Sequence, residues 1–205
     1  MPSPANIALA ILAAGRGSRF GGRKLEAVID DVMIGTMTAA RLATLDFGAR
    51  FVVANPAHTA LIEAFVALGF TAIANDQPHA GLSRSVSLAA QAAQNGDADA
   101  LLICLADMPN VPAQHITAMA NAFGDGTRVI ASSVQRAAMP PVLFPRAHFA
   151  RLAALSGSEG AKALLAGATL IEADAWSMAD VDTVDDLAAL TRLYRPSKAR
   201  PHDPS

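Results

Sequence analysis

The sequence predicts an α/β protein: a three-layer α/β/α arrangement built on a mostly parallel central sheet. Two observations predict it. Apolar runs of strand length alternate with alanine-rich amphipathic stretches along most of the chain, the signature of a parallel sheet covered by helices on both faces. The 205 residues also suit one sizeable domain, whose core needs no disulfide or metal staple.

The first run, residues 7–13, is apolar throughout and reads as a buried strand, as do 50–54, 71–74, 100–105 and 128–133. Between them, 36–45, 58–68, 83–94 and 112–123 read as helices. Pro56 and Pro112 suit first-turn positions, and Asn95-Gly96 suits a helix C-terminus. After Ser133 the rhythm loosens. Pro140-Pro141 leads into a short apolar piece, 142–144, and helical stretches begin at Arg146 and Ala161. A last strand, 169–172, precedes a final helix, 184–194, which Thr183 and Asp186 have the spacing to cap. No repeat or linker divides the chain, so residues 1–195 read as a single domain. The Pro-rich polar tail 196–205 is expected to be disordered.

Composition narrows the function. Hydrophobic residues make up 52% of the chain, many of them alanine, a good helix former. The net charge is -2 with the basic residues scattered, whereas a nucleic-acid partner calls for a concentrated basic face. The single cysteine, Cys104, excludes an internal disulfide or multi-cysteine zinc site, and within an apolar run it reads as a buried, inert thiol. The apolar run 7–14 is too short to span a membrane and lacks the basic flank of an export signal. The expectation is a cytoplasmic protein with no membrane partner.

The most informative stretch is Leu12-Ala13-Ala14-Gly15-Arg16-Gly17-Ser18-Arg19-Phe20-Gly21-Gly22-Arg23-Lys24-Leu25. It follows the first strand, at a carboxyl edge of the sheet, where open α/β folds bind ligands. Its glycines bring bare N–H groups close to an anion, and the interleaved Arg16, Arg19, Arg23 and Lys24 add charge. Amides and cations in one loop describe a polyphosphate cradle. The spacing is not that of a Walker A loop, and Gly15, Gly17 and Gly21 are one residue too far apart for a dinucleotide fingerprint. An oxidoreductase is therefore disfavoured.

The second landmark is Asp107 in Leu105-Ala106-Asp107-Met108-Pro109, directly after the strand at 100–105. An aspartate there can turn a hard oxygen donor into the cleft, which suits Mg²⁺. A triphosphate-bound Mg²⁺ takes one or two carboxylates. The candidate for the second is Asp182, in Asp180-Val181-Asp182-Thr183-Val184-Asp185-Asp186-Leu187, with Asp180 as its competitor. A third segment, Asn75 to Val86, runs from a strand end into a helix and contains Gly81, Ser83 and Ser85. Gly81 permits close approach and the serines can donate hydrogen bonds, although Ser83 alone would also serve as a helix cap. The five histidines show no metal spacing, and no nucleophile elbow is present.

The loop pattern Leu-Ala-Ala-Gly-x-Gly-x-Arg-Phe-Gly-Gly-x-Lys-Leu resembles the signature of the molybdenum cofactor nucleotidyltransferases, within the wider MobA-like NTP transferase family. The Asp107-Met108-Pro109, Gly81-Leu82-Ser83-Arg84-Ser85 and Asp180-to-Leu187 segments resemble that family's other elements, so the likeness covers the chain to about Leu193. The resemblance implies a Rossmann-like nucleotidyltransferase fold. It implies catalytic roles for Lys24, Arg19 and Asp107, Mg²⁺ on Asp107 and Asp182, and a nucleoside triphosphate wrapped by Leu12, Ala13, Ala14, Gly15, Arg16, Gly17, Ser18, Arg19 and Lys24. Asn75, Gly81, Ser83 and Ser85 would approach the base and ribose. Ala13-Ala14-Gly15 resembles the CTP-using type, which implies the molybdopterin–molybdenum cofactor as acceptor and pyrophosphate as product. The acceptor side resembles the family at 141–146 and 158–162. Met139-Pro140-Pro141-Val142 lacks the family's glycine there, however, and 31–35 departs from its Gly-x-Pro-Leu turn. Another phosphorylated acceptor, such as a sugar 1-phosphate, is the alternative. A non-catalytic nucleotide- or cofactor-binding accessory protein is the reading from outside enzymology, and the presence of both Lys24 and Asp107 argues against it.

Overall fold

The computed structural model describes residues 6–15, 23–157 and 161–194. Seven strands form one sheet in the order β5-β4-β1-β6-β8-β7-β9. They are β1 (Ile7–Ala13), β4 (Ala49–Ala54), β5 (Thr71–Ala74), β6 (Ala100–Leu105), β7 (Ile130–Val134), β8 (Ala137–Pro145) and β9 (Thr169–Glu172). β1 pairs in parallel with β4 and β6, β4 with β5, and β7 with β9. Only β8 runs against its neighbours. The mostly parallel sheet follows from the apolar character of its central strands β1 and β6, which are buried on both faces and must be covered twice.

The cover comes from helices on either side. Alternate residues of β1 enter different cores. Leu9, Ile11 and Ala13 pack with Leu42 of α1 (Ile34–Leu42), Leu61 and Phe65 of α2 (Thr59–Ala67), and Ile116 and Met119 of α4 (Ala113–Ala122). Ala8, Ala10 and Leu12 pack with Val86, Ala89 and Ala93 of α3 (Leu82–Asn95), and with Phe149 and Leu152 of α5 (Phe149–Ala153). These are the expected three layers, with alanines on α3 where helix and sheet approach closely. Among the described residues, no helix is long and apolar enough to cross a membrane.

A third cluster completes the fold. β2 (Val28–Ile29) and β3 (Val32–Met33) form a small hairpin, and Ile29 packs with Ile34 and Met37 of α1 and with Val181 and Leu190. Leu190 belongs to α6 (Val184–Tyr194), so the last helix is fastened beside the turn that follows the glycine-rich loop.

Most elements lie within two residues of their expected bounds, and β9 and α6 fall on them. Two expectations are corrected. The hairpin at 28–33 was not foreseen, and the piece expected at 142–144 is the end of a nine-residue strand, β8. The bulge in the β7–β8 ladder explains the second. Ala131 pairs with Val142 and Ser132 with Met139, which leaves Pro140 and Pro141 in the irregularity, where no ladder N–H is required. The tail 196–205 lies outside the described residues.

Candidate active site

The strand order reverses its direction of growth between β1 and β6, which are adjacent and parallel with Leu12 beside Leu105. Loops leaving the carboxyl ends of two such strands diverge and leave a crevice between them. Here Ala106 N–H donates to the Leu12 carbonyl at 3.1 Å, pinning the two exits together. Above this point opens a cleft of about 510 Å³. Leu12, Ala14 and Gly15 line it from β1, Leu105 and Asp107 from β6, Lys24 and Leu25 from the turn after the glycine-rich loop, and Asp182 from the segment before α6.

Lys24 is the centre of the arrangement. Its ammonium donates to Asp107 Oδ2 and to Asp182 Oδ1, each at 2.9 Å, and its side chain is only 8% exposed. Local structure brings the three together. Lys24 opens a single 3-10 turn whose Leu25 is buried. Thr38 on α1 donates its hydroxyl to the Met108 carbonyl at 2.7 Å, fixing the loop that carries Asp107. Val181 N–H donates to the Asp107 carbonyl at 2.9 Å, so the backbones bearing the two carboxylates are directly bonded. Asp182 is then aimed by the cap of α6. Asp186 Oδ2 accepts from the Asp182 N–H at 3.0 Å and the Thr183 N–H at 2.8 Å, while Asp186 N–H donates back to Thr183 Oγ1 at 3.1 Å. This is the expected capping pair.

The electrostatics follow from that geometry. Burial acts to lower the Lys24 pKa, but its hydrogen bonds to and attraction by Asp107 and Asp182 prevail, and it lies above the ordinary 10.5. Asp180 is shifted up from 3.8, first by burial and then by the charges of Asp182 and Asp107. Among the described residues, two carboxylates thus converge on one ammonium. Among the described residues, no group of three or more His, Cys, Asp or Glu side chains is placed to hold a metal ion. The convergent acidic pair is Asp107 with Asp182, rather than with its competitor Asp180.

The other expected site residues divide. Gly81, at φ +83, and Ser85 line the cleft beside the β1 residues. Asn75 and Ser83 are buried behind it. Asn75 Nδ2 donates to Ser85 Oγ at 2.9 Å and its Oδ1 accepts from the Gln77 N–H at 3.0 Å, so it holds Ser85 in place. Ser83 donates to the Gly157 carbonyl at 2.5 Å. α3 begins at Leu82 with Gly81 as its cap, one residue earlier than expected, and Ser83 is on its buried face. Ala13 is also buried, in the core below the cleft. Arg16, Gly17, Ser18 and Arg19 lie outside the described residues. Pro78, His79 and Leu82, to which no site role was expected from the sequence, also line the cleft. Their position at the carboxyl end of β5, on the same sheet edge as Gly15 and Asp107, was the available signal.

An open α/β sheet with its cleft at the switch point, and a lysine there flanked by two acids, is the frame of a nucleotidyltransferase. The family model described as the MobA-like NTP transferase domain matches residues 9–176, and the chain belongs to that family. It is 28% identical over 195 residues to the purine catabolism protein PucB of Bacillus subtilis (strain 168), covering 88% of this chain and 94% of PucB. Two solved structures share the fold. One is the homologue of Mycobacterium tuberculosis Rv0371c from Mycobacterium sp. strain JC1, at TM-score 0.77 and 23% identity over 94% of this chain and 98% of that one. The other is a nucleotidyl transferase of Methanothermobacter thermautotroptrophicus, at TM-score 0.76 and 20% identity over 93% and 98%. The Rossmann-like three-layer fold is thus that of a family of nucleotidyltransferases.

Proposed function

We propose that this chain transfers CMP from CTP to the phosphate of the molybdopterin–molybdenum cofactor in the cytoplasm, releasing pyrophosphate. The observation that carries nucleotidyl transfer is the Lys24 ammonium, held between Asp107 and Asp182 at the mouth of the Ala14-Gly15 loop. CTP is supported by Ala13-Ala14-Gly15, which resembles the CTP-using type. The molybdenum cofactor is supported by the resemblance of the loop and of 141–146.

In the reaction an acceptor phosphate oxygen attacks the α-phosphorus of CTP, and the bond to the oxygen bridging towards the β-phosphorus breaks. A phosphate monoester with a second pKa near ~6 is already largely ionised at neutral pH, so no general base is required. The obstacle is repulsion between two anions. Lys24, with Arg19 from the glycine-rich loop, offsets that repulsion and the charge that builds on the departing pyrophosphate. Backbone amides near Gly15 cradle the phosphates, and Ser85, steadied by Asn75, orients the nucleoside end.

The donor set suits Mg²⁺. Two carboxylate oxygens, each 2.9 Å from one ammonium nitrogen, are hard anionic donors aimed at a single cation position, the number such a site uses beside substrate phosphates. Asp107 and Asp182 would hold the ion, which when bound supplies charge neutralisation at the triphosphate.

The test is pyrophosphate release from CTP, GTP, UTP and ATP with Mg²⁺, with and without purified molybdenum cofactor. Release from CTP that depends on the cofactor is expected. Release from another triphosphate would displace CTP, and cofactor-independent release with a sugar 1-phosphate would displace the acceptor.

A further inference from the structure

Lys24 is bonded to the two side chains that the proposed reaction gives to Mg²⁺, and that coincidence has a consequence for the order in which ligands enter. We propose that Lys24 is an exchangeable counter-ion. In the free enzyme its ammonium occupies the cation position between Asp107 and Asp182, and only a triphosphate draws it away and opens that position to a divalent metal. The inference rests on the metal and nucleotide reading above.

Three features support it. First, the ammonium contacts both carboxylates at once, at 2.9 Å from each. A second cation entering between them would meet a fixed positive charge within hydrogen-bonding distance. Second, the backbone of Lys24 is anchored independently of the bonds its head makes. Ala27 N–H donates to the Lys24 carbonyl at 3.2 Å and Glu26 N–H to the Arg23 carbonyl at 3.0 Å, with Leu25 buried beside them. The flexible four-carbon stem above that anchor presents a compact charge that can turn without moving the chain. Third, Lys24 and Gly15 line the same cleft, so phosphates cradled at the β1 loop lie within the compass of that turn. A polyphosphate is the more highly charged partner for the ammonium. Moreover, two carboxylates face the one ammonium, Asp107 through Oδ2 and Asp182 through Oδ1. Removal of the ammonium takes away the positive charge that the two carboxylates share, and a divalent ion restores it.

The device gives the site two arrangements. Without nucleotide, Lys24 keeps two like charges together and denies them to metal. With nucleotide, the ammonium serves the phosphates and the carboxylates serve the ion. Triphosphate and metal therefore bind with positive coupling, and by linkage each raises the other's affinity by the same factor.

The experiment is Mn²⁺ binding, followed by electron paramagnetic resonance of the free ion and corrected with protein-free samples at the same CTP concentration, for the wild-type protein and for Lys24→Met, which nearly keeps length and removes charge. With MnCl₂ alone, wild type is expected to bind weakly and Lys24→Met about tenfold more tightly, within the roughly 5–150-fold range of coupled sites. Addition of CTP without acceptor should tighten Mn²⁺ binding to wild type by a similar factor, and by much less in Lys24→Met. Lys24→Met/Asp182→Asn should lose the gain, which places the ion on the carboxylates. Wild type alone also decides: Mn²⁺ affinity equal with and without CTP overturns the exchange even if Lys24→Met fails to fold. Tight Mn²⁺ binding in the presence of CTP, but no gain in a folded Lys24→Met, overturns the exchange and leaves the metal reading standing. No Mn²⁺ binding in any state overturns both.

Discussion

Lys24 reaches Asp107 across 83 residues of chain and Asp182 across 158, so the site's charge balance is assembled entirely by tertiary structure. Each of the three has a supporting bond: the 3-10 turn under Lys24, the Val181–Asp107 backbone bond, and the Asp186 cap behind Asp182. Asp107→Asn keeps the shape and removes one charge. It is expected to lower pyrophosphate release by roughly 10²–10³-fold, the scale of losing a key electrostatic contact, while CTP still raises the melting temperature. Undiminished release would remove Asp107 from the chemistry. Lys24, Asp107 and Gly15 were legible in the sequence because each directly follows a strand or belongs to the glycine-rich loop. Asn75 and Ser83 were legible as polar residues near the nucleotide segment, but their facing was not, because it is set by tertiary partners, Ser85 for Asn75 and the Gly157 carbonyl for Ser83. Pro78 and His79 carried no chemical pattern and are found only by the edge of the sheet they share with the rest.

Elements misread in the sequence failed for a definite reason. The β2–β3 hairpin turns through Asp30 and Asp31 at φ +47 and +64, and the β7–β8 hairpin through Gln135 and Arg136 at +50 and +65. Two consecutive positive φ angles mark the type I′ turn, whose usual sign is Asn-Gly or Asp-Gly. With neither pair present, and prolines in β8, no local signal announced either hairpin. α1 illustrates the converse, a glycine whose purpose appears only on packing. A Cβ at Gly35 would sit 2.9 Å from Leu25 Cβ, 3.0 Å from Leu61 Cδ1 and 3.1 Å from the Leu25 carbonyl. The first of these belongs to the residue beside Lys24, so the helix approaches the turn that carries Lys24 as closely as a bare backbone allows. Gly35→Ala gains helix propensity but overpacks this contact, and is expected to cost about 1–3 kcal/mol. For a chain of this size that lowers the melting temperature by roughly 2–4 °C per kcal/mol. A melting temperature at or above wild type in a thermal scan would show that the turn yields freely.

At the scale of the whole molecule, the layered fold was the most legible feature, since the alternation of apolar and alanine-rich stretches runs through it from β1 to α4. What pattern alone leaves unspecified is how the scattered charges settle on that frame, and this sets the response to acid. Among the described residues, Glu26, Asp125, Glu172, Asp174 and Asp186 have pKa values lowered from 4.5 for the glutamates and 3.8 for the aspartates. Glu26 is held down first by its hydrogen bond with His58, Glu172 by that from Ser133, and Asp186 by that from Thr183. A lowered acid favours the folded state above its unfolded pKa, and that contribution is lost as pH falls through the folded value. His115 and His148 are lowered from 6.5, chiefly by burial, so they too favour folding when neutral and lose that preference on acidification. Asp180, raised from 3.8, has the opposite sign: it favours folding when protonated, and this advantage disappears as pH rises through its folded pKa. One such group stands against seven. The melting temperature is therefore expected to decline gently as pH drops below 6.5, through the histidines, and more steeply below 4.5, through the carboxylates. Glu26→Gln and Asp186→Asn should each flatten the steep part and leave the gentle part unchanged. Thermal scans at closely spaced pH values between 7.5 and 3 check this. A melting temperature that held level or rose below pH 4.5 would mean that the acids gain no more from their partners in the folded chain than from water in the unfolded one.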